Sequence, residues 1–278
     1  MNAWSDTLLR SDDVQGNALR RPSAGEVHLW LAFEQRITDS FLVQQYRQLL
    51  TDDERARERG FHFQQDAHRY LVTRALVRTT LSRYCDVDPT HWRFKTTEFG
   101  RPWVANPMLE GPPLVFNLSH TEGLVICAIA SGGSLGVDTE DCERKRAPVE
   151  IADTCFAPDE VSALRSLPAL TQQRRFFDYW TLKESYIKAR GNGLSLPLDK
   201  FSFDLSVPNR VRLFGHDDLA DSADRWRFWL LSASNEHLVA VCHEKQLSAS
   251  GSLTVRKVVP LWGDVIHDCR MLRRSDEL

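Results

Sequence analysis

The stretch LVFNLSH-TEG-LVICAIAS, residues 114–131, constrains the fold more than any other. Two strand-like arms flank a Thr121–Glu122–Gly123 turn, which is the signature of a β-hairpin. The second arm is apolar at successive positions, so both of its faces must be covered by other layers. VHLWLAF, 27–33, adds a strand with Val27, Leu29, Leu31 and Phe33 on one face. Helical patterns follow at DSFLVQQYRQLL, in the charged DDERARERGF, and in the long QQDAHRYLVTRALVRTTLSRYC, 64–85. WRFKTTEFGRPW reads as a strand, a turn at Gly100–Arg101–Pro102, and a return.

A flexible break, SGGS at 131–134, divides the chain. Beyond it LGVDTE reads as a strand, APDEVSALRSL as a helix with Pro158 in its first turn, and 171–190 as a long helix, so each half shows helices plus a small sheet, without a sequence repeat. KFSFDLS, RWRFWLLSAS and HLVAVCHE are strands. The expectation is α+β: a pseudo-twofold pair of similar lobes, each a small, mainly antiparallel sheet packed with helices. The boundaries expected are 1–133 for the N-terminal lobe, 134–255 for the C-terminal lobe, and an unassigned extension at 256–278.

Composition narrows the partners. A net charge of −3 and 26% charged residues argue against a general nucleic-acid or membrane-surface binder. No apolar run reaches the roughly 18 residues of a membrane span, and the acidic N-terminal stretch lacks a signal core. The expectation is a cytoplasmic protein. The closing RSDEL is read as a chance likeness to a retention signal. Six scattered cysteines without C-x-x-C spacing predict neither zinc nor disulfides.

The helix WTLKESYIKARGNG carries the first chemical signal. Phe177, Trp180, Glu184 and Ile187 share a stripe, so a carboxylate lies on an apolar face, with Lys188 four residues on and Gly191 as the stop. A carboxylate that loses water there needs a cation or hydrogen-bond donors. An intrahelical Glu184–Lys188 pair is one answer. A second acidic pair opens another. In LGVDTE, Asp138 and Glu140 point the same way, about 6.6 Å apart, with Gly136 leaving room on that face. With one more carboxylate, the set suits Mg²⁺ and its hard oxygen ligands. A solvated strand end is the competing reading of this pair.

Other chemistries are excluded or left open. Ser119 and His120 are sequence neighbours and point to opposite faces of a strand, and no G-x-S-x-G elbow is present, so serine-hydrolase chemistry is discounted. There is no P-loop and no G-x-G-x-x-G. Phosphate would have to be met by side chains; Arg55, Arg57, Arg59 and Arg101 are candidates, with a solvated helix face as the alternative for the first three.

Taken in order, FGRP, FNLSH, GVDTE, FAPDE and WTLKESYIKARGNGLSLPLDKFSF, with DAHRYLVTRALVR upstream, resemble the 4′-phosphopantetheinyl transferases. The resemblance is to the monomeric two-lobed type that activates peptide and polyketide synthetases, and spans roughly residues 45–245. It implies transfer of the phosphopantetheine arm of coenzyme A to a serine of an apo acyl or peptidyl carrier protein, with 3′,5′-ADP released. By motif it implies Asp138, Glu140 and Glu184 as ligands of Mg²⁺ or Mn²⁺. Glu184, Lys188 and His120 are the implied catalytic residues. Arg57, Arg101, Ser119, His120, Lys183 and Lys188 are the implied coenzyme A contacts. Glu54 stands where related enzymes often carry a lysine for the 3′-phosphate, with Arg55 as its substitute. Two other readings stay open: a non-catalytic binder of coenzyme A or carrier protein, and a Mg²⁺-dependent nucleotide hydrolase.

Overall fold

The computed structural model describes residues 18–107, 111–143, 149–191, 193, 196–215, 221–246 and 250–275. The first 17 residues, the end of the charged loop at 144–148 and the last three residues of RSDEL lie outside them. Strands β1 (Glu26–Ala32), β4 (Leu114–Thr121) and β5 (Leu124–Ser131) join β11 (Ser252–Val259) and β12 (Gly263–Ile266) in one sheet, ordered β12-β11-β1-β5-β4. A second sheet is ordered β13-β9-β10-β6, from β6 (Leu135–Asp141), β9 (Trp226–Ser232), β10 (His237–Glu244) and β13 (Arg270–Arg274). Two small ribbons, β2 (Phe94–Thr96) with β3 (Pro102–Val104) and β7 (Phe201–Asp204) with β8 (Arg212–Gly215), complete the strands. Among the described residues the named strands pair antiparallel except β1 with β11.

Helices α1 (Ser40–Leu49), α2 (Asp52–Arg59) and α3 (Gln64–Leu81) belong to the first lobe. The short α4 (Ala152–Cys155), α5 (Pro158–Arg165) and the long α6 (Ala169–Arg190) belong to the second. Local chemistry sets their ends. Asp39 accepts from the Leu42 amide to start α1, and Thr51 with Glu54 forms a reciprocal capping box at α2. Gly191, at φ 74°, ends α6 in the left-handed region open to glycine.

The two-sided apolar pattern of β5 now has its explanation. Val125, Cys127 and Ile129 pack under the helices of the first lobe, while Leu124, Ile126, Ala128 and Ala130 face the other sheet. There they meet Val137, Trp229, Leu231, Val239 and Val241. The molecule is therefore four layers deep: helices, sheet, sheet, helices. The C-terminal extension left unassigned by sequence enters both sheets, through β11 against β1 and β13 against β9. Tyr46 donates to the Pro260 carbonyl at 2.9 Å, and Arg83 and Arg256 both pair with buried Asp264.

One close approach places the long helix. A Cβ on Gly136 would sit 2.0 Å from the Ser185 carbonyl oxygen of α6. The room expected beside Gly136 is filled by helix backbone. Phe176, Phe177, Tyr179, Leu182, Tyr186 and Ile187 are buried on α6, at roughly 1.5–3 kcal/mol each. That sum far exceeds the few tenths of a kcal/mol of an i,i+4 ion pair, so packing dictates which way Glu184 and Lys188 point.

Candidate active site

The edge strands of the two sheets, β4 and β6, run beside each other without forming a common ladder. Side chains bridge them. Asn117 on β4 accepts from the Val137 amide at 2.9 Å, and Ser119 Oγ donates to Asp138 Oδ1 at 2.9 Å. Lys188, from the last turn of α6, donates through Nζ to Asp138 Oδ1 at 2.7 Å and to Ser119 Oγ at 2.9 Å. One serine from the first lobe thus meets one aspartate and one lysine from the second. The alternative of an intrahelical Glu184–Lys188 pair is not realised: Lys188 turns to Asp138 instead.

Asp138 is 5% exposed, and its Oδ2 is buried without a hydrogen-bond partner among the described residues. Such an oxygen is rare, because losing water without a replacement partner is costly. Glu184 is half-buried nearby. Burial pushes its pKa up, the Asp138 charge adds to the rise, and Lys188 opposes it. Glu140, opposite Leu238, lies two residues from Asp138 on the same face of β6. Among the described residues, no three His, Cys, Asp or Glu side chains already stand together as a metal-ligand set. The unpartnered Oδ2 and the mutually repelling Asp138 and Glu184 are nonetheless what a hard cation would satisfy.

A cleft of about 280 Å³ opens here, its walls including Phe99, Arg101, Leu118, Glu184, Ile187 and Lys188. His120 stands exposed at the end of β4. Crowding by protein atoms, with the positive charges of Arg69 and Lys188, holds its pKa below the usual imidazole value. Arg69 is thus part of the site's electrostatics, although sequence reading passed over it. It lies on α3 beside His68, whose Nε2 donates to the Glu34 carbonyl, and the Arg69 guanidinium pairs with Glu34 and Asp66. Nothing in its spacing separates it from the other arginines of that helix.

Arg57 is exposed on α2, its guanidinium carbon 5.6 Å from the Tyr70 ring centre. It does not line the cleft but joins a second basic group with Arg74 and Arg78. Glu54 holds this second group: it pairs with Arg74, and with Arg78 at 2.8 Å. Arg55 pairs with Asp52 at 3.1 Å and donates to the Arg47 carbonyl.

Two expectations need correcting. Lys183 does not face phosphates. It is 0% exposed, and its ammonium donates to Glu160 at 2.7 Å and to the Leu198 and Phe201 carbonyls at 2.7 and 2.6 Å. Successive helical residues diverge by about 100°, so Lys183 enters the core when Glu184 faces the cleft. Arg101 does line the cleft, yet its Nη1 donates to the Lys188 and Ala189 carbonyls and its Nη2 to the Leu135 carbonyl. Those groups are committed to backbone.

Comparison with known proteins agrees across both lobes. Residues 134–242 match the 4′-phosphopantetheinyl transferase superfamily, and residues 39–132 match the 4′-phosphopantetheinyl transferase N-terminal domain. A 4′-phosphopantetheinyl transferase of Bacillus subtilis is 34% identical over 190 residues, 68% of this chain and 80% of that protein. The Sfp transferase of B. subtilis strain 168 is 35% identical over 72% of this chain and 84% of its own length. HetI of Nostoc is 34% identical over 61% and 70%. The chain belongs to the 4′-phosphopantetheinyl transferase superfamily. Within it the relatives are of the Sfp type, and the chain is a transferase enzyme.

Proposed function

We propose that this enzyme moves the 4′-phosphopantetheine arm of coenzyme A onto a serine hydroxyl of apo acyl or peptidyl carrier proteins and releases 3′,5′-ADP. The observation that carries the assignment of the site is the junction of Ser119, Asp138 and Lys188 between the lobes, beside a carboxylate oxygen without a partner among the described residues. Asp138, Glu140 and Glu184 would hold Mg²⁺, or Mn²⁺ in its place. Bound there, the ion would neutralise the pyrophosphate oxygens and stabilise the 5′-phosphate of 3′,5′-ADP as it departs.

Phosphoryl transfer depends on positioning and charge cancellation more than on covalent catalysis. Lys188 brings a cation to the leaving phosphate oxygens, and Ser119 orients both Lys188 and Asp138. His120 and Arg57 are assigned to coenzyme A phosphates, with Arg57, on α2 against Tyr70, reading the 3′-phosphate. Glu184 is also assigned as the base that takes the carrier's serine proton, directly or through water. The nucleophile belongs to the partner. In this reading the lobe at 1–133 supplies coenzyme A phosphate contacts, and the lobe at 134–255 supplies the metal site and the catalytic helix that carries Lys188. We assign the enzyme to the cytoplasm as a monomer acting on carrier proteins or carrier domains. Separately, no helix among the described residues is long and apolar enough to cross a membrane.

Intact-protein mass spectrometry of an apo carrier protein, incubated with enzyme, coenzyme A and Mg²⁺, tests this reading, with EDTA as control. A gain of one phosphopantetheine, lost with EDTA, is the expected outcome. Binding of coenzyme A without transfer to peptidyl, polyketide or fatty-acid carriers would favour a non-catalytic binder. Cleavage of coenzyme A without a carrier would favour the hydrolase.

A further inference from the structure

An α-helix ends with carbonyls that have no intrahelical donor and a partial negative charge. In α6 the Gly191 amide returns to Ile187 O at 3.0 Å. The next two carbonyls, of Lys188 and Ala189, receive the guanidinium of Arg101 at 3.2 and 3.3 Å. The same guanidinium reaches Leu135 O, at the start of β6, at 2.9 Å. Arg101 is not a neighbour in sequence: it comes from the β2–β3 hairpin of the other lobe.

That hairpin is built to present it. Gly100 adopts φ 77° and donates to Thr97 O at 2.9 Å, and the Arg101 amide donates to Thr97 Oγ1 at 3.2 Å. Only glycine takes that backbone angle readily. Phe94 of β2 packs edge-on against Phe116 of β4, with ring centres 5.6 Å apart, so the hairpin is anchored to the first lobe. Its guanidinium then grips the second lobe at the residue whose side chain binds Asp138.

We propose that Arg101 is a positioning residue that ties the two lobes across the C-terminal turn of α6 and so holds the Lys188 ammonium on Asp138 and Ser119. The inference rests on reading the cleft as the transfer site, and it gives Arg101 a task other than phosphate recognition. Lys188 is held at both ends: its backbone carbonyl by Arg101 of the first lobe, its ammonium by Ser119 of the first lobe and Asp138 of the second. Releasing the backbone end lets the ammonium drift, and a drift on the order of 1 Å lowers a rate by up to about 10²-fold.

The test is a double-mutant cycle on single-turnover rates with coenzyme A and an apo carrier protein, using Arg101→Ala, Lys188→Ala and the pair. Arg101→Ala should slow transfer by about 10- to 100-fold, with KM changed alike and little for coenzyme A and 3′-dephospho-coenzyme A. In the Lys188→Ala background the same change should cost less than about threefold, because Arg101 then has no ammonium to position. Arg101→Lys, a point charge in place of a fork, should recover only part of the rate. Equal losses in both backgrounds would overturn the proposal. So would a KM rise specific to coenzyme A with turnover kept, the mark of a 3′-phosphate contact. Amide hydrogen exchange supplies an arm independent of activity: Arg101→Ala should speed exchange at Arg190 and Gly191 relative to the middle of α6. Unchanged exchange there refutes the tie even if the wild-type protein transfers nothing, whereas absent transfer with faster exchange refutes only the proposed reaction.

Discussion

Replacing Gly136 by alanine should disarm the cleft without altering a charged group. The added methyl would lie 2.0 Å from Ser185 O and 2.3 Å from the Ala189 amide nitrogen, where ordinary contacts begin near 3.4 Å. Both obstacles are helix backbone and cannot rotate aside. Strand β6 and helix α6 must therefore part by on the order of 1 Å or more, at an overpacking cost of about 1–3 kcal/mol. Gly136 shares a strand face with Asp138, and Ser185 and Ala189 bracket Lys188 on the helix. The separation thus falls on the 2.7 Å contact between Lys188 and Asp138. Misplacement of that size should lower kcat by about 10²-fold. The assay is conversion of apo to holo carrier protein by intact mass at saturating substrates, with urea unfolding run in parallel. A variant that remains folded and turns over within about threefold of the parent would refute the claim that this approach sets the site.

Three further outcomes follow from the geometry. Lys183→Met strands the buried Glu160 carboxylate and should destabilise the protein by roughly 3–5 kcal/mol in urea unfolding, while KM for coenzyme A in the folded enzyme stays unchanged; a selective rise in KM would restore Lys183 to the phosphates. Glu54 has its pKa held below the ordinary value of 4.5, its burial outweighed by Arg74, the Thr51 amide and Arg78. Its stabilisation is complete above pH 4.5 and is lost as pH falls through the lowered value. Glu54→Gln should therefore be less stable than the parent at neutral pH, with the deficit closing in acid; a deficit constant with pH contradicts the pairing. Finally, Mg²⁺ without substrate should raise the Tm of the parent and not of Asp138→Asn, and equal shifts in both proteins would remove Asp138 from the ligand set.

Much of this architecture is legible in local pattern. The 114–131 hairpin, the helix of α6 and the strand LGVDTE form where alternation and periodicity place them. Asp138, Glu184 and Lys188 come together because packing of α6 against β6 dictates it, and the motif order already implies that meeting. What eluded the sequence depends on contacts across the fold. Lys183 and Glu184 are neighbours in a motif, so adjacency suggested a shared task, but the helical turn sends one to the core. Arg101 answers to carbonyls 87 and 88 residues away, a partnership no short window contains. Gly136 read as open space because the helix that fills it lies some 50 residues further on. The extension beyond residue 255 carried no motif, and its strands are defined only by the distant partners they pair with.

That last pairing bears on how the chain is made. The strand that flanks β1 in the first sheet begins at Ser252, so the sheet holding half of the cleft is missing a member until the segment from Ser252 onward has left the ribosome. Domains usually fold as units in order of synthesis; here the first lobe has to wait for β11, made after β6, β9 and β10 of the second sheet, with β1 carrying an open edge meanwhile. A premature stop shortly after residue 245 would therefore spare every residue assigned to transfer and still leave the earliest-made lobe unfinished.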